Sequence, residues 1–155
     1  MGTITESIDV DVDVTTAYDQ WTQFESFPQF MEGVDEVRQL DDTHLHWVTS
    51  VGPVTREFDA TVTEQHPDER VAWKSDDGPE HAGVVTFHRL DGNRSKVTVQ
   101  MSIDPEGFVE NVADKANLLD LRVKGDLKRF KDFIESRGSE TGAWRGDVDR
   151  PGDGG

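Results

Sequence analysis

Between Val34 and Ile103 the chain is a train of short apolar-alternating segments, each cut from the next by a few turn-forming residues. The segments read as strands over Val34–Leu40, His44–Val51, Thr55–Gln65, Arg70–Ser75, Gly83–Leu90 and Lys96–Ile103. The cuts are Asp41-Asp42, Gly52-Pro53, Pro67-Asp68, Asp76-Asp77-Gly78-Pro79 and Asp91-Gly92-Asn93, all turn chemistry. Parallel neighbours need a crossover of about a dozen residues or more, so links this short dictate an antiparallel meander. Thr3–Val14 supplies a seventh strand, with Ile4, Ile8, Val10, Val12 and Val14 alternating against polar neighbours. Its Asp9, Asp11 and Asp13 ladder reads as a solvated outer face rather than a cation site.

The apolar period changes at Thr15–Thr16. Ala17, Tyr18, Trp21 and Phe24 recur at helical spacing behind a Thr cap, predicting a short helix over Thr16–Gln23. One broken turn follows at Phe27-Pro28-Gln29-Phe30-Met31, ended by Gly33, and the lone Tyr18 is expected to pack beneath the helix. After Pro105 and Gly107 a long helix is expected over Phe108–Ser136, closed by Gly138. Its stripe is Val109, Val112, Ala116, Leu119, Val123, Leu127, Phe130 and Ile134. Such a helix is ~40 Å long and crosses a whole sheet. Its outer bases, Lys115, Arg122, Lys124, Lys128, Arg129 and Lys131, are expected to pair with Asp114, Asp120, Asp126 and Asp132. Residues 1–138 form the expected domain, and 139–155 an acidic, Gly-rich tail. Within that tail Trp144-Arg145 is expected to dock, on the domain or on a protein partner.

These elements give an α+β fold, with a curved seven-stranded antiparallel sheet around a long C-terminal helix. One helix covers only a stripe of a curled sheet. The rest of the concave face must be plugged by large side chains or left hollow. Alternation puts Leu45, Trp47, Phe58, Ala60, Val62, Val71, Trp73, Val85, Phe87, Val97, Val99 and Met101 on that face. The set describes a pocket for an apolar ligand, and it also describes an ordinary solid core, which the pattern alone slightly favours.

Composition removes several classes. The 155 residues contain no cysteine, so disulfides, thiolate catalysis and Cys-ligated metals are out. No apolar run approaches a membrane span and no signal peptide is visible, so the expected compartment is the cytoplasm. A net charge of −16, from 32 acids against 16 bases, disfavours nucleic acid and anionic membrane surfaces as partners. Acids spread along the whole chain also suit a salt-adapted, halophilic cytosol, and loss of folding at low salt separates that reading from ordinary acidity.

Catalytic signatures are sparse. There is no Gly-x-Ser-x-Gly and no phosphate loop, and no cofactor motif appears. His44 and His46 share a strand face at a metal-compatible spacing, but alternation turns them to solvent with no third ligand marked. His66, His81 and His88 fall at strand ends or turns without a paired nucleophile. Arg56 lies on the Phe58 face, so it either pins a ligand oxygen at the cavity mouth or pairs with Glu57 or Glu36. Thr49 and Ser75 can add neutral hydrogen bonds inside.

Particular words resemble the START-like, or SRPBCC, superfamily of helix-grip proteins, the polyketide cyclase/dehydrase and lipid-transport group that includes coenzyme Q-binding proteins. They are Ala17-Tyr18-Asp19-Gln20-Trp21 through Phe24-Glu25-Ser26-Phe27-Pro28-Gln29-Phe30-Met31, then Val34-Asp35-Glu36-Val37, His46-Trp47 and Arg56-Glu57-Phe58-Asp59-Ala60. Arg70-Val71-Ala72-Trp73-Lys74-Ser75, Gly83-Val84-Val85-Thr86-Phe87, Gly125-Asp126-Leu127-Lys128-Arg129-Phe130-Lys131 and Gly142-Ala143-Trp144-Arg145-Gly146 continue the likeness. The first and last words look typical of a cyclase/dehydrase branch. The resemblance implies a helix-grip fold with a deep hydrophobic cavity for lipids, quinones or polyketides, and it carries no catalytic residues across. The expected ligand-binding set is Trp47, Thr49, Arg56, Phe58, Trp73, Ser75, Phe87, Met101, Val112, Ala116 and Leu119. Three functions follow as expectations: binding or transport of a small hydrophobic ligand, an aromatase/cyclase or dehydratase, or an accessory protein docking through the Trp144 tail.

Overall fold

The computed structural model describes residues 2–51, 54–76, 80–104 and 115–137. Strand β1 (Gly2–Val10) leads into helix α1 (Val14–Trp21) and a 3-10 helix (Phe24–Gln29). Then come β2 (Val34–Gln39), β3 (His44–Val51), β4 (Val54–His66), β5 (Arg70–Ser75), β6 (His81–Asp91), β7 (Arg94–Ile103) and helix α2 (Lys115–Arg137). The seven strands form one sheet, ordered β1-β7-β6-β5-β4-β3-β2, with every neighbouring pair antiparallel. The meander is the one the turn chemistry requires, and β1 closes its far edge.

The first strand ends four residues earlier than its alternation suggests, because Asp13 is a helix cap. Its carboxylate accepts the Thr16 N–H at 2.7 Å, and α1 therefore starts at Val14 rather than behind a Thr cap. Hydrogen bonds from Thr16 hold the Asp13 carboxyl below its ordinary pKa. Asp9 and Asp11 instead face Arg94 and Lys96 across the sheet edge, at 3.4–4.0 Å.

Cross-strand register gathers the apolar set on one face: Leu45 opposite Ala60, Trp47 opposite Phe58, Val62 opposite Trp73, and Val85 opposite Val99. All twelve expected concave-face residues are buried except Met101, which is half-buried. Bulges in β2, β4 and β6 help curl the sheet. The one in β4 has a second effect. It reverses the alternation after Val62, so Gln65 takes an inward position opposite Val71 while Glu64 pairs opposite Ala72.

Helix α2 lays Leu119, Val123, Leu127, Phe130 and Ile134 into the core, as its stripe predicts. Four of its bases are internally paired, but mostly not with the expected acids. Arg122 and Arg129 reach Glu32, Lys124 reaches Glu6 and Lys131 reaches Glu135; of the four aspartates named, Asp126 joins Arg129. Gly125 leaves room for the Arg129 head group, since a Cβ there would come within 3.2–3.3 Å of the guanidinium nitrogens. The helix start before Lys115, its Gly138 cap, and the tail with Trp144 lie outside the described residues.

Candidate functional site

The space between the curled sheet and α2 divides into a filled end and a hollow one. Around α1 and the 3-10 helix, rings tile it shut: Trp21 packs on Phe27, Phe30 and Phe130 with centroids 5.2–5.8 Å apart, mostly edge to face. Pro28 inside the 3-10 helix limits it to a short segment, which presents Phe24 and Phe27 inward. Beside this plug lies a cavity of about 90 Å³. Trp47 and Thr49 of β3, Trp73 of β5, His81 of β6 and Val99, Met101 and Ile103 of β7 form its sheet wall. Trp21, the Met31 to Val34 loop, and Leu119, Arg122, Val123, Asp126 and Leu127 of α2 complete it.

A flat aromatic stack makes the sheet wall. Trp47 lies nearly parallel to Phe58 at 5.9 Å and to Trp73 at 5.7 Å. The Trp73 indole can lie over the neighbouring strand only because its register partner is Gly83. A Cβ on Gly83 would fall 2.6 Å from the ring. His81 completes the stack, its ring 5.1 Å from both Trp47 and Phe58. Trp73 Nε1–H donates to His81 Nδ1 at 3.2 Å, and the His81 backbone N–H donates to Ser75 Oγ at 3.1 Å. An indole nitrogen only donates, so this bond fixes a neutral imidazole carrying its proton on Nε2. Burial pushes the His81 pKa down to about 4, and the ring is neutral near pH 7.

The opposite rim is charged. Glu32 lies 3.3 Å from Arg122 and 3.5 Å from Arg129, and its N–H donates to Asp126 Oδ1 at 3.0 Å. Arg129 also donates from Nε to the Phe30 carbonyl at 3.1 Å and from Nη2 to Asp126. These bonds strap the loop before β2 onto α2. Burial raises the Asp126 pKa, opposed by the hydrogen bonds it accepts from Glu32 and Arg129.

Of the residues expected from sequence, Trp47, Thr49, Trp73, Met101 and Leu119 border the cavity. Phe58 stands behind Trp47, and Ser75 holds the His81 backbone. Phe87 lies elsewhere, edge-on to Tyr18 at 5.4 Å. Arg56 sits opposite Thr49 in register, exposed at the sheet rim and outside the cavity wall. The two acids named as its alternatives engage other groups: Glu57 contacts His46 at 3.1 Å and Glu36 contacts Arg38 at 3.1 Å. Val112 lies outside the described residues, as does the side chain of Ala116. His44 contacts Asp41, and His46 lies between Asp59 and Glu57, whose hydrogen bonds raise its pKa. No group of three metal-ligating side chains converges among the described residues.

Sequence reasoning missed His81, Arg122 and Asp126. The signal for His81 was parity: continuing the inward positions Phe87, Val85 and Gly83 back by one step reaches it. For the other two, Arg122, Asp126 and Arg129 form a ridge beside the Leu119, Val123 and Leu127 stripe.

The seven-stranded antiparallel sheet curled over a C-terminal helix is a fold shared with solved START-superfamily and aromatase/cyclase structures. A START superfamily protein from Mycobacterium smegmatis superposes with a TM-score of 0.68 at 11% identity, over 88% of this chain and 97% of that one. The Zhui aromatase/cyclase from Streptomyces sp. R1128 gives 0.71 at 11% identity, over 92% and 98%. The chain belongs to the polyketide cyclase/dehydrase and lipid transport family, whose pattern matches residues 10–132. An uncharacterized 17.2 kDa protein from the melC2-rnhH intergenic region of Streptomyces lincolnensis is 58% identical over 149 residues, covering 96% of this chain and 99% of that protein. None of the described helices is long and apolar enough to cross a membrane.

Proposed function

We propose that this chain is a cytosolic binding or carrier protein for a small hydrophobic molecule of the lipid, quinone or polyketide kind, working without a catalytic cycle. The observation that carries this reading is the hollow beside the aromatic plug, walled by Trp47, Trp73, Met101, Leu119 and Val123. Affinity comes from burying ligand surface, at ~25 cal/mol per Å². At about 90 Å³ the cavity is small beside the ~300–1,000 Å³ of typical ligand pockets, so loading widens it. The Met31 to Val34 loop is the element to move. It borders the cavity and is held to α2 by bonds among Glu32, Arg122, Asp126 and Arg129. The register position of Arg56 opposite the wall residue Thr49 supports a role for it in meeting a polar end of a ligand that projects from the cavity.

Denaturing the protein purified from its own cytosol, then running mass spectrometry on the organic extract, tests the reading. A stoichiometric apolar compound is the expected result. A clean extract, together with no uptake of hydrophobic fluorophores, overturns it.

The second reading, an aromatase/cyclase or dehydratase, is favoured by one observation: a neutral imidazole of fixed tautomer stands in the cavity wall at His81. Turnover of a polyketide-type substrate that disappears in His81→Ala or Arg56→Ala supports it.

A further inference from the structure

Helix α2 is fixed to the sheet differently along its two halves. Beyond Leu127 the hold is apolar: Phe130 packs on Trp21 and Phe30, and Ile134 is fully buried. Nearer the start of the helix, Leu119 and Val123 border the cavity, and charged groups flank them on both sides. On one flank Glu32 joins Arg122 and Arg129. On the other flank α2 packs against β1, and the contact there is between two acids. Alternation along β1 places Glu6 between Ile4 and Ile8 on the inward face, opposite Val99 in register. Its side chain is 18% exposed and hydrogen-bonds to the carboxyl group of Asp120, the residue after Leu119 on α2.

Ionised carboxylates only accept, so this bond exists only while one of the two carries a proton. Among the described residues the ionisable groups facing Glu6 are Asp120 and Lys124, both from α2; β7 turns Val97, Val99 and Met101 to that side. Lys124 Nζ lies 3.9 Å away and is mostly exposed, so it offsets only part of the repulsion between two charged carboxylates. The Asp120 bond first, and burial second, raise the Glu6 pKa above its ordinary 4.5. The folded chain therefore holds this proton more tightly than the unfolded chain does. The stabilisation it brings is complete below about pH 4.5 and is lost as pH rises through the raised value.

We propose that Glu6 and Asp120 form a proton-dependent clasp, which seats the cavity half of α2 on β1 when one carboxyl is protonated and lets that half lift when both are charged. The clasp belongs to the helix seat and holds whether or not the cavity takes a ligand.

Hydrogen exchange of the full chain, followed by NMR and corrected for the intrinsic pH dependence of exchange, tests it. Protection of the Leu119 to Val123 amides should fall about tenfold between about pH 5 and about pH 7.5, the worth of one charge-assisted hydrogen bond, while the Phe130 to Ile134 amides keep theirs. His81 and Asp126 also border the cavity and titrate, so a variant has to assign the effect. Glu6→Gln donates to Asp120 from its amide at any pH, so protection should stay at its acid value throughout. Asp120→Asn builds the same bond from the other side and serves if Glu6→Gln does not fold. Wild-type protection that does not change with pH overturns the clasp, as does a pH dependence that a folded variant retains unaltered.

Discussion

The two ends of the sheet–helix space are built from the same materials and end in different states. At the plugged end Trp21, Phe27, Phe30 and Phe130 meet mainly edge to face and leave no room. At the hollow end Trp47 lies nearly parallel to Phe58 and to Trp73, offset from each by 5.7–5.9 Å, and a gap remains before Leu119 and Val123. Aromatic content does not distinguish them; ring orientation does, and at the hollow end Gly83 permits it. Polar side chains stand at both ends: Asp19, Gln20, Thr22 and Ser26 are buried on or beside α1 and the 3-10 helix, and His81, Arg122 and Asp126 border the hollow.

The largest effect should come from breaking the plug. Phe130→Ala removes a fully buried ring that touches Trp21 and Phe30, and should cost about 3–5 kcal/mol in urea unfolding. A loss under about 1 kcal/mol would mean that this end is not tightly packed.

Next in size is the pH response of the hollow end. The unfolded chain protonates His81 near its ordinary value of 6.5, the folded chain only near 4, so the unfolded state holds more protons between those values. Folding stability contributed by this group is therefore complete above about pH 6.5 and falls as pH drops toward 4, by up to about 3 kcal/mol. Subtracting the pH profile of His81→Gln from the wild-type profile isolates it; identical profiles would refute the burial of a neutral imidazole.

Gly83→Ala should cost about 1–3 kcal/mol and displace the Trp73 indole, because the new methyl falls 2.6–2.7 Å from ring carbons. An unchanged Trp73 indole resonance would show that the ring does not depend on that gap. The smallest effect on stability is at the rim. Glu32 and its arginine partners are partly exposed, so Glu32→Gln should change stability by at most about 1 kcal/mol. It should nevertheless speed release of a bound probe in stopped-flow fluorescence, and added salt should speed wild-type release the same way. Unaltered release rates would remove the loop from the entry route.

Much of the architecture is legible in the residues because period-two alternation and short turns leave a chain few choices. The β2–β7 meander, the concave face and the α2 stripe all follow from local patterns, whereas the pairing of β1 with β7 does not. The errors have local causes as well. Asp13 looks like one more outward residue of a strand until its carboxylate is seen to cap α1. Starting β6 at Gly83 rather than His81 turned the central imidazole of the site into a turn residue. The hollow itself was not legible: Trp47, Phe58 and Trp73 satisfy both a plug and a stack, and only ring orientation separates the two. Nor were the ion-pair partners, since Glu32 comes from a distant loop that the helix sequence does not reveal.

The central claim is that the hollow end accepts an apolar molecule and the plugged end does not. The chain's three methionines are Met1, Met31 and Met101, and Met31 and Met101 both border the cavity. Titrating protein labelled with 13C-methyl-methionine and ring-13C-phenylalanine with indane, while following the methyl and ring resonances by NMR, reads both ends directly. The account predicts saturable shifts of Met31 and Met101 at one equivalent, with the buried rings around Phe130 unmoved. Two unmoved methyl resonances at saturating probe, or shifts spread equally through the aromatic plug, would contradict it.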